Sequence, residues 1–180
     1  MSRLIVRIVV VLAFLWGAAA LRGEQVPEYE VKAEFIERFT RFIEWPRGEE
    51  TKEPFVIGVI GNDPFKGFLD KMASGRRIKG RPVEIRRLRD VIEIDSCQIV
   101  FVSSSERERL RIVLARTRSR PILTIGDTSG YASSGVLVNF YTAGDTVRFE
   151  MNPAAIERSG LRVSAKLLKL AKLVEMEAAR

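Results

Sequence analysis

The chain has 180 residues, of which 46% are apolar and 29% charged, a composition typical of one folded globular domain rather than of a disordered protein. It contains no histidine and one cysteine, Cys97, which excludes Ser-His-Asp and Cys-His catalysis, His-ligated metal sites and an internal disulfide. Lys and Arg outnumber Asp and Glu by 30 to 23, a formal net charge of +7, so we expect an anionic partner.

The amino terminus has the pattern of a secretory signal peptide. Two arginines within the first seven residues precede an unbroken apolar run from Ile8 to Trp16, and small residues follow up to Ala20. This order predicts a cut after Ala20. A membrane anchor is the less favoured alternative, because spanning a bilayer takes about 20 apolar residues. We therefore predict a signal peptide over residues 1–20 and a periplasmic domain over residues 21–180. We expect this domain not to bind nucleic acid.

The first half of the domain alternates between predicted helices and strands. Apolar residues at Val31, Phe35, Phe39 and Phe42 predict a helix over residues 28–44 with this stripe buried, stopped by Trp45-Pro46. Residues 54–60 form an apolar run typical of a strand covered on both faces. Asp63 before Pro64 then predicts the cap of a short helix. A basic loop leads into an edge strand over residues 82–88.

Two further apolar strands are predicted, over residues 97–102 and 121–125. Between them, Ser105 and Glu108 have the spacing of a capping box, and the helix that follows should bury an inward stripe of Leu110, Val113, Leu114 and Thr117. Two strand–helix units followed by a third strand predict a parallel sheet with right-handed crossovers.

The last third of the chain changes character. Residues 135–141 and 145–151 alternate as two strands joined by a tight turn, which predicts an antiparallel hairpin at the sheet edge. Asn152-Pro153 should begin a short helix ending at Gly160, and Ser164 should cap a final leucine-rich helix. The predicted fold is a single α/β domain with a mixed, mostly parallel sheet, an antiparallel edge hairpin and helices on both faces.

Polar residues follow the predicted parallel strands, where open α/β sheets bind ligands. The candidate ligand-binding residues are Asn62, Asp63, Ser103, Ser104 and Asp127. The same residue types cap helices, so a purely structural role is left open. Asp63 and Asp127 are the one carboxylate pair that we assign to this edge for acid–base chemistry, and no Walker lysine is present. We predict no enzyme activity, no metal site and no cofactor.

Residues 75–90 form the densest basic stretch of the chain. The candidate partner-binding residues here are Arg76, Arg77, Lys79 and Arg81. Such a stretch suits lipid head groups or an acidic protein face, and a solvated loop is the alternative. The edge hairpin is the other candidate docking surface, because an exposed strand edge offers backbone pairing.

Several segments in order resemble those of the YfiR family of small exported proteins. They are KAEF (32–35), FIEWP (42–46), IGVIGNDPF (57–65), IKGRPV (78–83), CQIVFV (97–102), PILTIGD (121–127), VRFEMNP (147–153) and SAKLLKLA (164–171). The resemblance runs from about residue 29 to 174, nearly the whole predicted mature chain.

The resemblance implies a non-enzymatic periplasmic regulator. Its best understood relatives bind the periplasmic sensor region of a membrane diguanylate cyclase and hold it inactive, and their release raises cyclic di-GMP and favours biofilm. Some members carry cysteine pairs, whereas Cys97 alone cannot form an internal bridge. A periplasmic small-ligand module of another signalling system is the alternative function, and a homodimer is left open.

Overall fold

The computed structural model describes residues 27–46 and 53–176. The predicted signal peptide lies outside these residues. Within them, no helix has the length and apolar character needed to cross a membrane.

The described residues form one α/β domain. Its helices are α1 (Glu28–Phe39), α2 (Phe68–Ala73), α3 (Leu110–Thr117), α4 (Tyr131–Ser134), α5 (Pro153–Ser159) and α6 (Ala165–Leu168), with 3₁₀ helices at Val91–Ser96 and Ser104–Arg109. Its strands are β1 (Ile43–Glu44), β2 (Phe55–Ile60), β3 (Arg77–Ile78), β4 (Arg81–Leu88), β5 (Ile99–Val102), β6 (Leu123–Gly126), β7 (Val138–Ala143), β8 (Thr146–Met151), β9 (Arg162–Val163) and β10 (Lys172–Leu173).

The main sheet has eight strands in the order β10-β8-β7-β6-β5-β2-β4-β3. Neighbouring strands run parallel except in the pairs β7–β8 and β3–β4. A separate ribbon pairs β1 with β9. The mixed, mostly parallel sheet predicted from the sequence is therefore confirmed.

The central strands are buried on both faces, as their continuous apolar sequences predict. In β2, Ile57 and Val59 join the larger core cluster, which also holds residues of α1, whereas Val56 and Ile60 join a smaller cluster with residues of α3. Helices thus cover both faces. In the larger cluster, Phe39 lies 5.8 Å from Phe140 and 5.0 Å from Phe149, measured between ring centroids.

Helix α1 is shorter and rotated relative to the prediction. It ends at Phe39 rather than at residue 44, because the chain turns there and Ile43–Glu44 forms β1. The fully buried residues of α1 are Lys32, Ala33, Ile36, Glu37 and Phe39. Val31 and Phe35 are only half-buried, so the predicted stripe lies to one side of the buried face.

The carboxyl-terminal region differs most from the sequence prediction. The β7–β8 hairpin forms as predicted, but it is not the outermost pair, because β10 pairs in parallel with Glu150 and Met151 of β8. Ser164 caps a helix, as predicted, by accepting a hydrogen bond from the backbone N–H of Leu167. That helix has only four residues, since the chain then extends to form β10.

Two predicted helix starts are also displaced. Asp63 accepts from the backbone N–H of Phe65, but α2 begins only at Phe68, after a turn. The 3₁₀ helix before α3 is capped by Ser103 rather than Ser105. The capping box lies instead at Asp90 and Glu93, which the sequence analysis missed. Asn152 caps α5, which ends before Gly160, as predicted.

Candidate functional site

The carboxyl ends of β2, β5 and β6 are adjacent in the sheet, so the polar segments that follow these strands lie along one edge. This edge carries the five candidate ligand-binding residues. The internal contacts of each side chain determine which of these residues could bind a ligand.

Asp127 is held by residues of α1. Its Oδ2 accepts hydrogen bonds from Lys32 Nζ at 2.7 Å and from the Tyr29 hydroxyl at 2.9 Å. Lys32 Nζ also lies 2.6 Å from Glu28 Oε1. The side chains of Lys32 and Asp127 are only 4% and 9% exposed, so this ion pair is buried. A lysine of the chain itself therefore occupies the position beside Asp127 where a cationic ligand group would bind.

The Tyr29 ring fixes this network against the core. It packs edge-to-face on Phe65 with centroids 5.4 Å apart, and Lys32 Nζ lies 4.3 Å from the Tyr29 centroid. Burial and then the hydrogen bond to Asp127 raise the pKa of Tyr29 above its ordinary value. The hydroxyl therefore stays protonated at neutral pH and donates a hydrogen bond to the Asp127 carboxylate.

Ser103 and Asn62 belong to a second set of contacts at this edge. The Asn62 backbone N–H donates to Ser105 Oγ at 2.9 Å, and Ser105 Oγ lies 3.4 Å from Ser103 Oγ. Ser103 is buried, and its carbonyl accepts from the Tyr131 hydroxyl at 3.0 Å. These bonds join the ends of β2 and β5 directly. The Asn62 side chain and Ser104 remain exposed.

Asp63 is also engaged within the chain. Besides capping Phe65, it accepts from Arg87 Nε at 2.9 Å, and Arg87 Nη1 donates to Asp70 at 2.6 Å. The Arg87 hydrogen bond lowers the pKa of Asp70. Asp63 and Asp127 are thus each paired with a different cation of the chain itself, Arg87 and Lys32 respectively.

The basic stretch divides into buried and exposed residues. Arg81 is 7% exposed and donates to the carbonyls of Glu53 at 2.7 Å and Pro54 at 2.5 Å. Arg76 makes a two-pronged hydrogen bond with Glu34 of α1. Arg77 donates to the Gly80 carbonyl, and Arg77 and Lys79 are exposed. Arg81 is therefore buried in the fold, whereas Arg76, Arg77 and Lys79 are exposed, with Arg76 paired to Glu34.

Cys97 is buried against β2, where a Cβ on Gly58 would come within 2.8 Å of its sulfur. Burial raises the pKa of the thiol from 9.0 to about 11. The unfolded chain therefore loses this proton first, and stability should fall as pH rises from 9 to 11. We expect wild type to lose up to about 2 kcal/mol more than Cys97→Ala over this range in urea unfolding. Equal losses would show that the thiol is not desolvated.

A groove lies on the outer side of α1, beside the β7–β8 turn. Its volume is about 500 Å³, and its lining includes Val31, Phe35 and Val147, with Thr142 and Asp145 at the turn. Val31 and Phe35 also line a second depression of about 290 Å³ along the helix. Phe35 packs on Phe39, Phe140 and Phe149 at centroid distances of 5.9 to 6.0 Å. We call this surface the α1 groove.

Tyr29 and Lys32 were missed as site residues by the sequence analysis. Their spacing with Ile36 and Phe39 gives a helical stripe at i, i+3, i+7 and i+10. A lysine inside such a stripe indicates a buried cation that needs a carboxylate partner, a signal that could have identified Lys32. The sequence pattern does not identify Asp127 as the partner of Lys32, because the two residues are 95 positions apart.

A sequence model of the YfiR/HmsC-like family matches residues 29–172. The chain belongs to the YfiR/HmsC-like family. This family is regulatory, non-catalytic and periplasmic.

Two solved structures share the YfiR/HmsC-like fold of this chain at low sequence identity. One is a conserved domain protein from Vibrio cholerae O1 biovar El Tor, with a TM-score of 0.56 and 11% identity over 85% of this chain and 61% of that chain. The other is the ABC domain in complex with L-Trp from Streptococcus pneumoniae, with a TM-score of 0.52 and 12% identity over 81% and 62%. This chain spans less than two thirds of either protein, and the similarity shows the fold alone.

Proposed function

We propose that this protein is a periplasmic regulator that binds the periplasmic sensor region of a membrane diguanylate cyclase and lowers its output of cyclic di-GMP. The match to the YfiR/HmsC-like family over residues 29–172 carries the proposal. The inhibitor acts by binding the inactive state of the receptor more tightly than the active state, so a signal that weakens binding activates the cyclase.

We propose the α1 groove as the docking surface. Val31 is half-exposed, and Phe35 rests on a rigid aromatic cluster, which suits an apolar anchor of the partner. By contrast, Arg76 and Arg81 of the basic stretch are committed to internal contacts. A specific complex buries about 800 Å² on each partner, which one face of this domain can supply.

The first test measures intracellular cyclic di-GMP in cells with and without the gene. Deletion should raise the level, and wild-type protein should restore it. Val31→Arg fills the groove with a charge and should reduce capture of the cyclase from envelope extract at least about tenfold. Ala154→Arg is the matched control, because Ala154 is exposed on α5 outside the groove lining. It should behave as wild type.

An unchanged cyclic di-GMP level, also with the protein overproduced, would contradict the cyclase proposal. Salt tests the docking surface separately. Binding through the apolar groove should change little between low and physiological ionic strength, whereas binding through Arg77 and Lys79 should weaken steeply.

A periplasmic small-ligand module is the second candidate function. The Asn62 side chain and Ser104 are exposed at the strand ends, and the similar Streptococcus pneumoniae domain holds L-Trp. A thermal shift with L-Trp that Asn62→Ala or Ser104→Ala abolishes would support this candidate. A shift that both variants retain would remove its basis.

A further inference from the structure

Two surface segments run side by side on the face of the sheet that carries the smaller core cluster. The 3₁₀ helix Val91–Ser96 joins β4 to β5, and α3 joins β5 to β6. Because these strands are parallel, both segments run from the carboxyl edge of the sheet towards the amino edge. Asp95 forms ion pairs with Arg116 and Arg120, which fixes their alignment. We call these two segments the α3 layer, and we include in it Arg107 of the 3₁₀ helix that precedes α3 and Arg118 directly after α3.

Each segment of the α3 layer exposes one isoleucine. Ile92 precedes Asp95 by three residues of a 3₁₀ helix and Ile112 precedes Arg116 by four residues of an α-helix. Both spacings correspond to a rise of about 6 Å, so we infer that the two isoleucines lie at a similar level of the layer. Ile92 is 66% exposed and Ile112 is 54% exposed. A single exposed aliphatic side chain is ordinary, but two at one level form a patch that water solvates poorly.

The isoleucines are accompanied by arginines without internal partners. Among the described residues, Arg107, Arg111 and Arg118 make no ion pair or side-chain hydrogen bond, and all three are exposed. Two exposed acids of the layer, Glu93 and Glu108, also make no ion pair among the described residues, and Arg109 pairs with Glu106. Three unpaired arginines against two unpaired glutamates leave the layer one positive charge in excess.

Helix α1 on the opposite face provides the contrast. Each of its four glutamates has a cation; the pairs are Glu28–Lys32, Glu30–Lys71, Glu34–Arg76 and Glu37–Arg41. The acids of the α1 face are therefore neutralised internally, whereas the α3 layer keeps unmatched positive charge.

We propose that the α3 layer is a contact surface for an anionic phospholipid bilayer. Arginine side chains are long, remain charged and match phosphate oxygens in pairs, so Arg107, Arg111 and Arg118 suit lipid phosphates. The two isoleucines enter the boundary between head groups and acyl chains, an apolar environment that needs no shape complementarity. A bilayer satisfies both features at once, whereas an acidic protein face would satisfy only the charge. The contact would hold a periplasmic protein beside membrane receptors.

The test uses protein purified from the periplasm, in its exported form, and co-sedimentation with vesicles. Vesicles of phosphatidylcholine with phosphatidylglycerol should bind wild type at physiological salt, and pure phosphatidylcholine should not. Each arginine contributes about fivefold in affinity, so Arg107→Gln, Arg111→Gln and Arg118→Gln together should weaken binding about 100-fold. Ile92→Ser with Ile112→Ser should weaken it about tenfold without changing the charge.

A control with the same loss of charge combines Arg38→Gln, Lys166→Gln and Lys169→Gln, which are exposed outside the α3 layer. It should retain most of the binding. Absent binding to anionic vesicles at physiological salt, equal binding to neutral vesicles, or an equal loss in the control would overturn the proposal. Circular dichroism of each variant verifies folding. The vesicles contain no protein, so this result is independent of the cyclase proposal.

Discussion

Lys32→Met is expected to lower the free energy of unfolding by about 3–5 kcal/mol. Methionine is also unbranched but one atom shorter than lysine, and it removes the cation from a site that is 4% exposed. Among the side chains that the structure describes, the Tyr29 hydroxyl would then be the one donor left to the buried Asp127 carboxylate. Burying a charge without its counterion costs far more than the net energy of the pair itself. Urea unfolding followed by circular dichroism measures the loss.

A double variant separates the charge effect from packing. Lys32→Met combined with Asp127→Asn removes both charges, and the asparagine oxygen can still accept from Tyr29. We expect the double variant to be more stable than Lys32→Met by at least about 2 kcal/mol. The control is Lys71→Met, which breaks the exposed pair with Glu30 and should leave stability unchanged. If Lys32→Met were as stable as wild type, the buried pair would contribute nothing to folding.

Gly61→Ala is expected to destabilise the protein by about 2–4 kcal/mol. Gly61 has φ +87, a left-handed conformation that disfavours any side chain. A Cβ at this position would overlap Ser105 Oγ and approach Glu106 Cγ to 2.9 Å. Ser105 would have to move, which breaks its bond with the Asn62 N–H. The backbone strain at positive φ and the loss of the Ser105 hydrogen bond are separate free-energy costs, so we expect them to add.

Gly130→Ala isolates the backbone cost. Gly130 has φ +86, nearly the same conformation, but nothing lies within 4 Å of its Cβ position. We expect a loss of about 1 kcal/mol, clearly smaller than for Gly61→Ala. Equal losses of stability in the two variants would contradict the argument that Ser105 links the ends of β2 and β5 by its hydrogen bond with the Asn62 N–H. Thermal unfolding of the two variants side by side gives the comparison.

These predictions bear on function because they concern the edge where α/β sheets usually bind ligands. At this edge the chain supplies its own partners: Lys32 for Asp127, Ser105 for the Asn62 backbone N–H, and Arg87 for Asp63. A ligand reaching Asp127 would have to displace the buried lysine. This occupancy supports our proposals that the α1 groove binds the partner and that the α3 layer binds a bilayer.

The strand ends were predictable because local sequence specifies them. Asn62, Ser103 and Asp127 each follow a strand whose uninterrupted apolar sequence indicates burial on both faces, and parallel strands present their carboxyl ends at one edge. Asn152 and Ser164 were recognisable as caps for a similar reason, since capping depends on residues three positions away. The role of Arg81 was not predictable, because its carbonyl acceptors lie 27 and 28 residues away in sequence.

The sequence alone determined the domain class, the parallel order of strand and helix, and the absence of histidine chemistry, because composition and short-range periodicity carry these properties. Only the tertiary structure decided that Lys32 pairs with Asp127, that Val31 and Phe35 line a groove, and that residues 172–173 form a strand rather than a helix. Each of these outcomes depends on contacts between distant segments. The partner of the buried Lys32 and the strand that pairs with residues 172–173 are both distant in sequence, so local sequence patterns do not identify them.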